Sequence, residues 1–220
     1  MPPRLILLGA PGVGKGTQAE LLCAGLHICH LSTGDVFRAA KSQCGDTQTD
    51  AMKEALGYMK SGALVPDETV LNLVRERKRC LRCQGGFLLD GFPRTVPQAE
   101  ALDKLLDEED LRVDAVLNYA LPLEVIVNRL SGRRTCQGCK AVFHVTARPP
   151  KVADVCDHCG GILIQREDDL PEAVAQRMVA YEKSTKPLAD YYVNHGLLRT
   201  ISAAGTPEQI FERTLAILNT

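Results

Sequence analysis

A glycine-rich loop close to the N-terminus is the strongest constraint on what this chain can fold into. The apolar run at residues 5–8 leads directly into the string GAPGVGKGT at residues 9–17, and a helical stretch follows. In this context the glycines let successive backbone N–H groups point inward, and the helix N-terminus adds positive potential for phosphate oxygens. A lone glycine pair would indicate an ordinary turn, but the whole string predicts a phosphate-binding P-loop. The predicted cradle consists of Gly12, Val13, Gly14, Lys15, Gly16 and Thr17.

Short apolar runs alternate with longer helical stretches along the chain. The predicted strands are residues 5–8, 28–31, 87–89, 115–120 and 197–201. The predicted helices are residues 15–25, 67–80, 98–106, 124–130, 171–194 and 207–218. Buried strands separated by helices favour an α/β fold, here with a five-stranded parallel sheet.

Two stretches do not fit this alternation. Residues 32–65 form a polar, mostly helical excursion, and residues 132–169 are rich in Cys, Gly, Pro and charge. Long connections that are not disordered are usually functional lids or binding loops. We therefore expect a core domain made of residues 1–31, 66–131 and 170–220, into which these two stretches are inserted.

The composition limits the possible partners. The 220 residues contain 26 Lys plus Arg against 27 Asp plus Glu, so there is no basic excess to bind a nucleic acid or an anionic membrane. No apolar run is long enough for a signal peptide or a spanning helix, and we expect a cytoplasmic protein. The nine cysteines are an odd number, which favours thiols and thiolate metal ligands over disulfides.

One departure from the general P-loop pattern is informative. Gly16 stands between Lys15 and Thr17, where the general motif has Ser or Thr directly after Lys. Together with STGD at residues 32–35, LLDGFPRT at residues 88–95 and the arginines at residues 129–134 and 166–177, this form resembles the adenylate kinase family along nearly the whole chain.

The resemblance implies a fold, a reaction and ligands. The fold is the three-layer fold similar to P-loop nucleoside triphosphate hydrolases, with an AMP-binding insertion at residues 32–65 and a zinc-bearing lid at residues 132–169. The reaction is the reversible, Mg-dependent conversion of ATP and AMP into two ADP. The resemblance also suggests a monomer.

The family's acceptor pocket maps onto matching residues of this sequence. They are Thr33, Arg38, Leu64, Val65, Gly91, Phe92, Pro93, Arg94, Gln98, Arg166 and Arg177. Independent chemistry supports the mapping, because arginines offer bidentate forks to the AMP phosphate and the Gln98 amide can both donate to and accept from an adenine edge. Taken alone, Gln98 would be a solvated helix residue.

The donor side and the transferred phosphoryl group depend on a second set. Besides the P-loop, the resemblance assigns Arg129, Arg133, Val142 and Phe143 to ATP, with His144 beside them. Asp90 ends an apolar strand at the sheet edge, where a carboxylate can hold Mg through water; Asp35 is a second candidate that could equally cap a helix. The expected catalytic residues are Lys15, Asp90, Arg94, Arg133, Arg166 and Arg177.

The cysteines of the second insertion have the spacing of a metal site. Cys136, Cys139, Cys156 and Cys159 form the pattern C-x2-C-x16-C-x2-C, typical of structural zinc. His158 could replace one sulfur, and iron or cobalt could occupy the same ligands. Cys80 and Cys83 have the same internal spacing but are expected to be free thiols, as are Cys23, Cys29 and Cys44.

Two kinds of alternative function remain open at this point. Another monophosphate kinase, for UMP or CMP, or a GTP-dependent AMP kinase would carry the same motifs. A zinc-ribbon nucleic-acid-binding protein with an ATP switch is an alternative of another class, but it would need a basic, aromatic surface that this composition does not favour.

Overall fold

The computed structural model describes residues 2–34, 55–58, 63–76 and 78–219. The eight strands in these ranges are β1 Arg4–Gly9, β2 Cys29–Ser32, β3 Phe87–Asp90, β4 Ala115–Ala120, β5 Arg133–Cys136, β6 Val142–His144, β7 Leu163–Ile164 and β8 Leu198–Ser202. The α-helices whose bounds are described are α1 Lys15–Leu26, α2 Asp67–Glu76, α3 Lys78–Leu81, α4 Val96–Asp107, α5 Leu123–Ser131, α6 Pro171–Ala180, α7 Pro187–Asn194 and α8 Pro207–Leu218. Arg38, Asp35 and Cys44 lie outside the described residues.

A five-stranded parallel sheet forms the centre of the molecule, with the strand order β2-β3-β1-β4-β8. The predicted fold class is therefore confirmed. Since all five strands run the same way, their carboxyl ends share one edge of the sheet, which is where ligands bind in open α/β folds. The P-loop follows β1 at this edge, Asp90 ends β3, and Thr33 follows β2.

The strands are apolar on both faces because helices cover both sides of the sheet. Along β1, Ile6 and Leu8 pack into a core shared with α2, α4 and α7. Leu5 and Leu7 pack into the opposite core, shared with α1, α5 and α8. This explains why the strands appear in the sequence as continuous apolar runs rather than alternating patterns.

The helix predicted over residues 171–194 is interrupted, which corrects the sequence prediction. A π-helical segment, Tyr181–Thr185, separates α6 from α7, and the N–H of Lys186 donates to the carbonyl oxygen of Tyr181 at 2.8 Å. Pro187 gives the physical reason, because proline has no N–H and its ring clashes with the carbonyl four residues earlier. The wider π turn lies directly before Pro187, where the regular hydrogen-bond pattern of an α-helix cannot continue.

Helix α4 begins two residues before the predicted start at Gln98. Thr95 caps it, since its hydroxyl oxygen accepts the N–H of Gln98 at 3.2 Å, and Pro97 occupies the first turn. Both are ordinary features of a helix start. Thr95 and Gln98 are thus fixed to each other by the geometry of the cap.

Residues 132–169 contain a separate antiparallel sheet, with the strand order β6-β5-β7. Its small core consists of Cys136, Phe143, Cys156 and Leu163. The boundaries of this insertion and of residues 32–65 stay predictions. Among the described helices, none has the length and apolar character needed to span a membrane.

Candidate nucleotide and metal sites

The glycine loop has the strand-loop-helix geometry that the sequence predicts. Gly9, Gly12 and Gly14 have φ angles of 134°, 84° and 102°, in the region that side chains rarely adopt. At Gly12 a Cβ atom would lie 2.7 Å from Cγ of Leu130, so there is no space for a larger residue. Gly14 directly precedes α1, and the loop therefore presents its backbone beside a helix N-terminus.

The ammonium group of Lys15 lies across this loop. It donates hydrogen bonds to the carbonyl oxygens of Gly9 at 2.7 Å and Ala10 at 3.0 Å. Desolvation lowers the pKa of Lys15 to about 8, and Asp90 opposes this shift. Arg94, Arg177 and Arg133 contribute to the lowered value, so three candidate arginines act electrostatically on one lysine. The loop is a cationic centre suited to a polyanion.

Asp90 is the carboxylate of this centre. Its side chain is 14% exposed, and Oδ2 lies 3.9 Å from Nε2 of His30. A Cβ atom on Gly16 would lie 4.0 Å from the same oxygen, which places the carboxylate directly beside the first turn of α1. An oxygen ligand in this position suits Mg, which prefers carboxylates and retained waters.

Residues 91–94 bring part of the predicted acceptor pocket together. The Nε of Arg94 donates to the carbonyl oxygen of Gly91 at 2.7 Å, and Gly91 has a φ of 81°. A Cβ atom there would lie 2.9 Å from Oγ1 of Thr33 and 3.1 Å from a guanidinium nitrogen of Arg94. Phe92 is buried in the core, so its side chain supports the pocket rather than lining it.

Gln98 connects residues 91–94 with the start of α2, which follows the predicted contacts Leu64 and Val65. Its side chain is 2% exposed, and its Nε2 donates to Oδ1 of Asp67 at 2.5 Å. Asp67 follows the predicted contacts Leu64 and Val65 by only a few residues. The sequence analysis missed Asp67, whose position after Pro66 indicated a helix start and nothing more.

Two of the candidate phosphate-binding arginines are held by a pair of aspartates. Arg133 makes a bidentate contact with Asp169, at 2.7 Å from Nε to Oδ2 and 2.5 Å from Nη2 to Oδ1. Arg177 donates to Oδ2 of Asp168 at 2.9 Å and lies 3.5 Å from Oδ1 of Asp169. The carboxylate of Asp169 is fully buried. Sequence reasoning missed both aspartates, although they stand beside Arg166 in the run REDD.

Arg129 and Arg166 occupy different surroundings. Arg129 connects the P-loop with the segment after β8, because its guanidinium donates to the carbonyl oxygens of Val13 and Ala203, both at 3.1 Å. Desolvation lowers its pKa. The Nε of Arg166 donates to Oγ1 of Thr135 at 2.9 Å, within the small antiparallel sheet.

The predicted base contacts of the second insertion differ in exposure. Val142 is half-buried, whereas the Phe143 side chain is buried in the core of the small sheet. The ring of His144 lies over the end of α5, with Nε2 at 3.1 Å from the carbonyl oxygen of Asn128.

The four cysteines predicted as metal ligands converge. Their sulfur atoms all lie within 4.8 Å of one another. The Sγ atoms of Cys136 and Cys159 are 3.4 Å apart, and those of Cys139 and Cys156 are 3.5 Å apart. A tetrahedral site with Zn–S bonds of ~2.3 Å requires S···S separations of ~3.8 Å, so the cluster fits zinc.

The two cysteine pairs have matching turns. In one, the N–H of Lys140 donates to the carbonyl oxygen of Cys136 at 3.2 Å; in the other, Gly160 donates to Cys156 at 2.9 Å. Both residues after the turn have positive φ, 64° for Lys140 and 71° for Gly160. A backbone hydrogen bond from Gly161, together with hydrogen bonds from the thiols of Cys136 and Cys139, lowers the pKa of Cys159 to about 6, which favours a thiolate.

The chain is similar to adenylate kinases over most of its length. It matches the family model for adenylate kinase over residues 7–197. It is 50% identical over 216 residues to the adenylate kinase of Streptomyces coelicolor, covering 98% of each chain. It is 50% identical over 208 residues to that of Carboxydothermus hydrogenoformans, covering 94% of this chain and 95% of the relative. With that of Caldicellulosiruptor bescii it shares 51% over 215 residues, covering 98% and 97%. The chain therefore belongs to the adenylate kinase family.

Proposed function

We propose that this protein transfers a phosphoryl group reversibly between Mg-ATP and AMP to give two ADP, and thereby balances adenine nucleotides. The observation that supports this most is the meeting of charges at Lys15. Asp90, Arg94, Arg133 and Arg177 come from three different parts of the chain, and all of them act on the pKa of this one lysine. A triphosphate and a monophosphate can be brought together only where several cations converge, since their own charges repel.

On the donor side, the P-loop holds the ATP phosphates. Backbone N–H groups and side chains contact them from Gly12, Val13, Gly14, Lys15, Gly16 and Thr17. Arg129 stacks on the adenine, Arg133 binds phosphate, and Val142 and Phe143 contact the base when the insertion closes. The position of Arg129 across the loop at Val13 supports its assignment to the donor side.

On the acceptor side, AMP is bound by residues of the insertion at 32–65, by residues 91–98 and by arginines from later in the chain. The proposed AMP-binding residues are Thr33, Leu64, Val65, Gly91, Phe92, Pro93 and Gln98, with the phosphate contacts from Arg38, Arg94, Arg166 and Arg177. The proximity of Thr33, Gly91 and Arg94 supports this assignment. Phe92 supports the acceptor pocket indirectly, because its side chain is packed in the core.

The chemistry needs positioning and charge stabilisation more than proton transfer. The attacking AMP phosphate oxygen is already anionic near neutral pH, so no catalytic base is required. Lys15 and the arginines stabilise the charge that spreads over the transferred group in the transition state. Magnesium bound with ATP neutralises phosphate charge, and Asp90 would hold it through a water ligand. Closure of residues 132–169 excludes water, which would otherwise accept the phosphoryl group.

The aspartates that hold Arg133 and Arg177 prepare these residues for phosphate. Charge-assisted hydrogen bonds fix the two guanidinium groups beside the P-loop before any nucleotide binds. Less conformational entropy is then lost when phosphate arrives. Asp168 and Asp169 are therefore positioning residues in this proposal.

Zinc would be bound by Cys136, Cys139, Cys156 and Cys159, and its role is structural. Four thiolates leave no open coordination position for water or phosphate. The metal would instead stabilise a small sheet whose described core comprises only a few apolar side chains. We further propose that residues 32–65 and 132–169 act as the AMP-binding insertion and the lid, and that the protein works as a monomer in the cytoplasm.

A panel of acceptors and donors tests the substrate assignment. AMP, UMP and CMP are compared as acceptors with ATP, and ATP and GTP as donors with AMP, by kcat/KM at saturating Mg. We expect AMP and ATP to be preferred by orders of magnitude, because a hydrogen-bonding base site rejects bases with the wrong polar edge. Preference for UMP or CMP, or for GTP, would replace the proposal with the corresponding alternative.

A further inference from the structure

Asp67 lies at the centre of a hydrogen-bond network that joins the starts of two helices. Its Oδ1 accepts from Nε2 of Gln98 at 2.5 Å, and its Oδ2 accepts from the hydroxyl of Thr95 at 3.2 Å. Asp67 is the first residue of α2, while Thr95 caps α4. Both carboxylate oxygens are therefore engaged across the gap between the two helices.

The other end of the Gln98 amide is fixed as well. Its Oε1 accepts the backbone N–H of Arg94 at 2.7 Å. A flipped amide would turn the oxygen towards the Asp67 carboxylate and the NH2 group towards the N–H of Arg94. Both contacts would then be repulsive, acceptor against acceptor and donor against donor. The orientation of the amide is thus determined at both of its ends.

The locked amide presents one fixed polar edge. Within the described ranges, these two bonds leave one N–H hydrogen and one oxygen lone pair of the amide for a ligand. An oxygen that accepts and a nitrogen that donates match the 6-amino group and N1 of adenine. A 6-oxopurine carries an acceptor at position 6 and a donor at N1, so it requires the flipped amide.

We infer that Asp67 is a positioning residue that sets the acceptor specificity, because it locks the Gln98 amide in the orientation that recognises a 6-aminopurine and rejects a 6-oxopurine. This inference rests on the proposed AMP site and adds a residue outside the set of predicted base contacts. The burial of Gln98 strengthens the effect, since an unmatched polar group that is shielded from water is costly.

The test compares AMP with IMP as acceptor for wild type and Asp67→Asn. The asparagine keeps the shape of Asp67 but can present either its oxygen or its NH2 group to Gln98, so that only the N–H of Arg94 still favours one orientation of the amide. We expect kcat/KM for AMP to fall and that for IMP to rise, which narrows the AMP-to-IMP ratio at least about tenfold. Direct ATP binding should be unchanged. Asp107→Asn is the matched control, because Asp107 is an exposed carboxylate on α4, and it should leave the ratio at the wild-type value.

The possible outcomes separate this inference from the proposed function. If wild type does not phosphorylate AMP, the proposed function fails, whatever Asp67 does. If wild type is an AMP kinase and the folded Asp67→Asn variant keeps the wild-type ratio, Asp67 only connects the two helices and the inference is wrong. If the asparagine variant does not fold, Asp67→Glu provides a second test. Its longer side chain displaces the carboxylate from Gln98, which should lower the ratio of kcat/KM for AMP to that for IMP.

Discussion

The ammonium nitrogen of Lys15 lies 2.7 Å from the carbonyl oxygen of Gly9. Gly9 begins the glycine loop, and Lys15 stands at its other end, at the start of α1. The side chain thus folds back over its own loop, with a second bond to Ala10. These two carbonyl oxygens hold the ammonium group against the loop. A bound polyphosphate can accept from Lys15 without a large movement of the loop.

Replacing Lys15 should remove catalysis while the fold remains. We expect Lys15→Met to lower kcat by ~10²–10³-fold, because the loss of one preorganised charge contact typically costs this much. The measurement is steady-state ADP formation, with the melting temperature as the control for folding. Near-wild-type turnover in the folded variant would contradict the assignment of the P-loop.

The lowered pKa of Lys15 predicts a proton linkage for ATP binding. In the free protein the lysine has a pKa of about 8, and bound phosphate must raise this pKa because it favours the charged form. Binding therefore takes up a proton, and ATP affinity should fall as the pH rises through about 8. Calorimetry in buffers of different ionisation enthalpy should find an uptake of about one proton at pH 9 and about a tenth of one at pH 7.

The control for this linkage is Lys15→Met, which has no group to titrate at that position. Its ATP binding should be weaker, and it should lack the uptake seen for wild type at pH 9. Equal proton uptake by both proteins at pH 9 would show that another group is responsible.

Arg94 should separate the two nucleotide sites. Its guanidinium is bonded to Gly91 on the proposed acceptor side, so Arg94→Ala should lower kcat/KM for AMP by ~10²-fold or more. ATP binding, measured directly by calorimetry, should change much less. Arg112→Ala is a suitable control, since it removes an exposed arginine that precedes β4. Loss of ATP binding with intact AMP binding would mean that the two sites are reversed.

The cysteine cluster should matter for stability rather than for the reaction. Elemental analysis should find about one metal per chain, as a single four-ligand site implies. Cys156→Ser should lower the melting temperature, because metal binding free energy contributes to folding, while most activity survives well below that temperature. Cys80→Ser removes a half-buried thiol outside the cluster and should have little effect.

Two results would refute the structural-metal account. One is a metal-free protein that melts at the same temperature as the metal-bound form. The other is a metal-free protein that is still folded yet inactive in the presence of Mg. In the second case the cluster would contribute to the reaction, which a closed tetrahedral site cannot do.

The features that were predictable from sequence are local. The strand, loop and helix around Lys15 are contiguous in the chain, and their glycines have the positive φ angles that such a loop needs. The four clustered cysteines fall at two short, regular spacings, so their convergence could be expected. The parallel sheet followed from apolar runs whose two faces are both buried.

The features that were not predictable depend on contacts between distant residues. Gln98 and Asp67 are separated by 31 positions, and Arg133 and Asp169 by 36, so no local pattern indicates either pair. The sheet at residues 133–164 was also missed, because its strands are only 4, 3 and 2 residues long and partly polar. The π-helical segment before Pro187 is a further case, since periodicity continues through it.

The most direct test of the central claim is to follow purified protein with equal amounts of ATP and AMP and excess Mg, by ³¹P NMR. We expect ATP and AMP to disappear together while ADP forms at twice the rate, without free phosphate, and we expect ADP alone to regenerate both nucleotides. Chelation of Mg should stop both directions. Release of inorganic phosphate from ATP with AMP unconsumed would contradict the account, because the protein would then be a hydrolase or an ATP-driven switch.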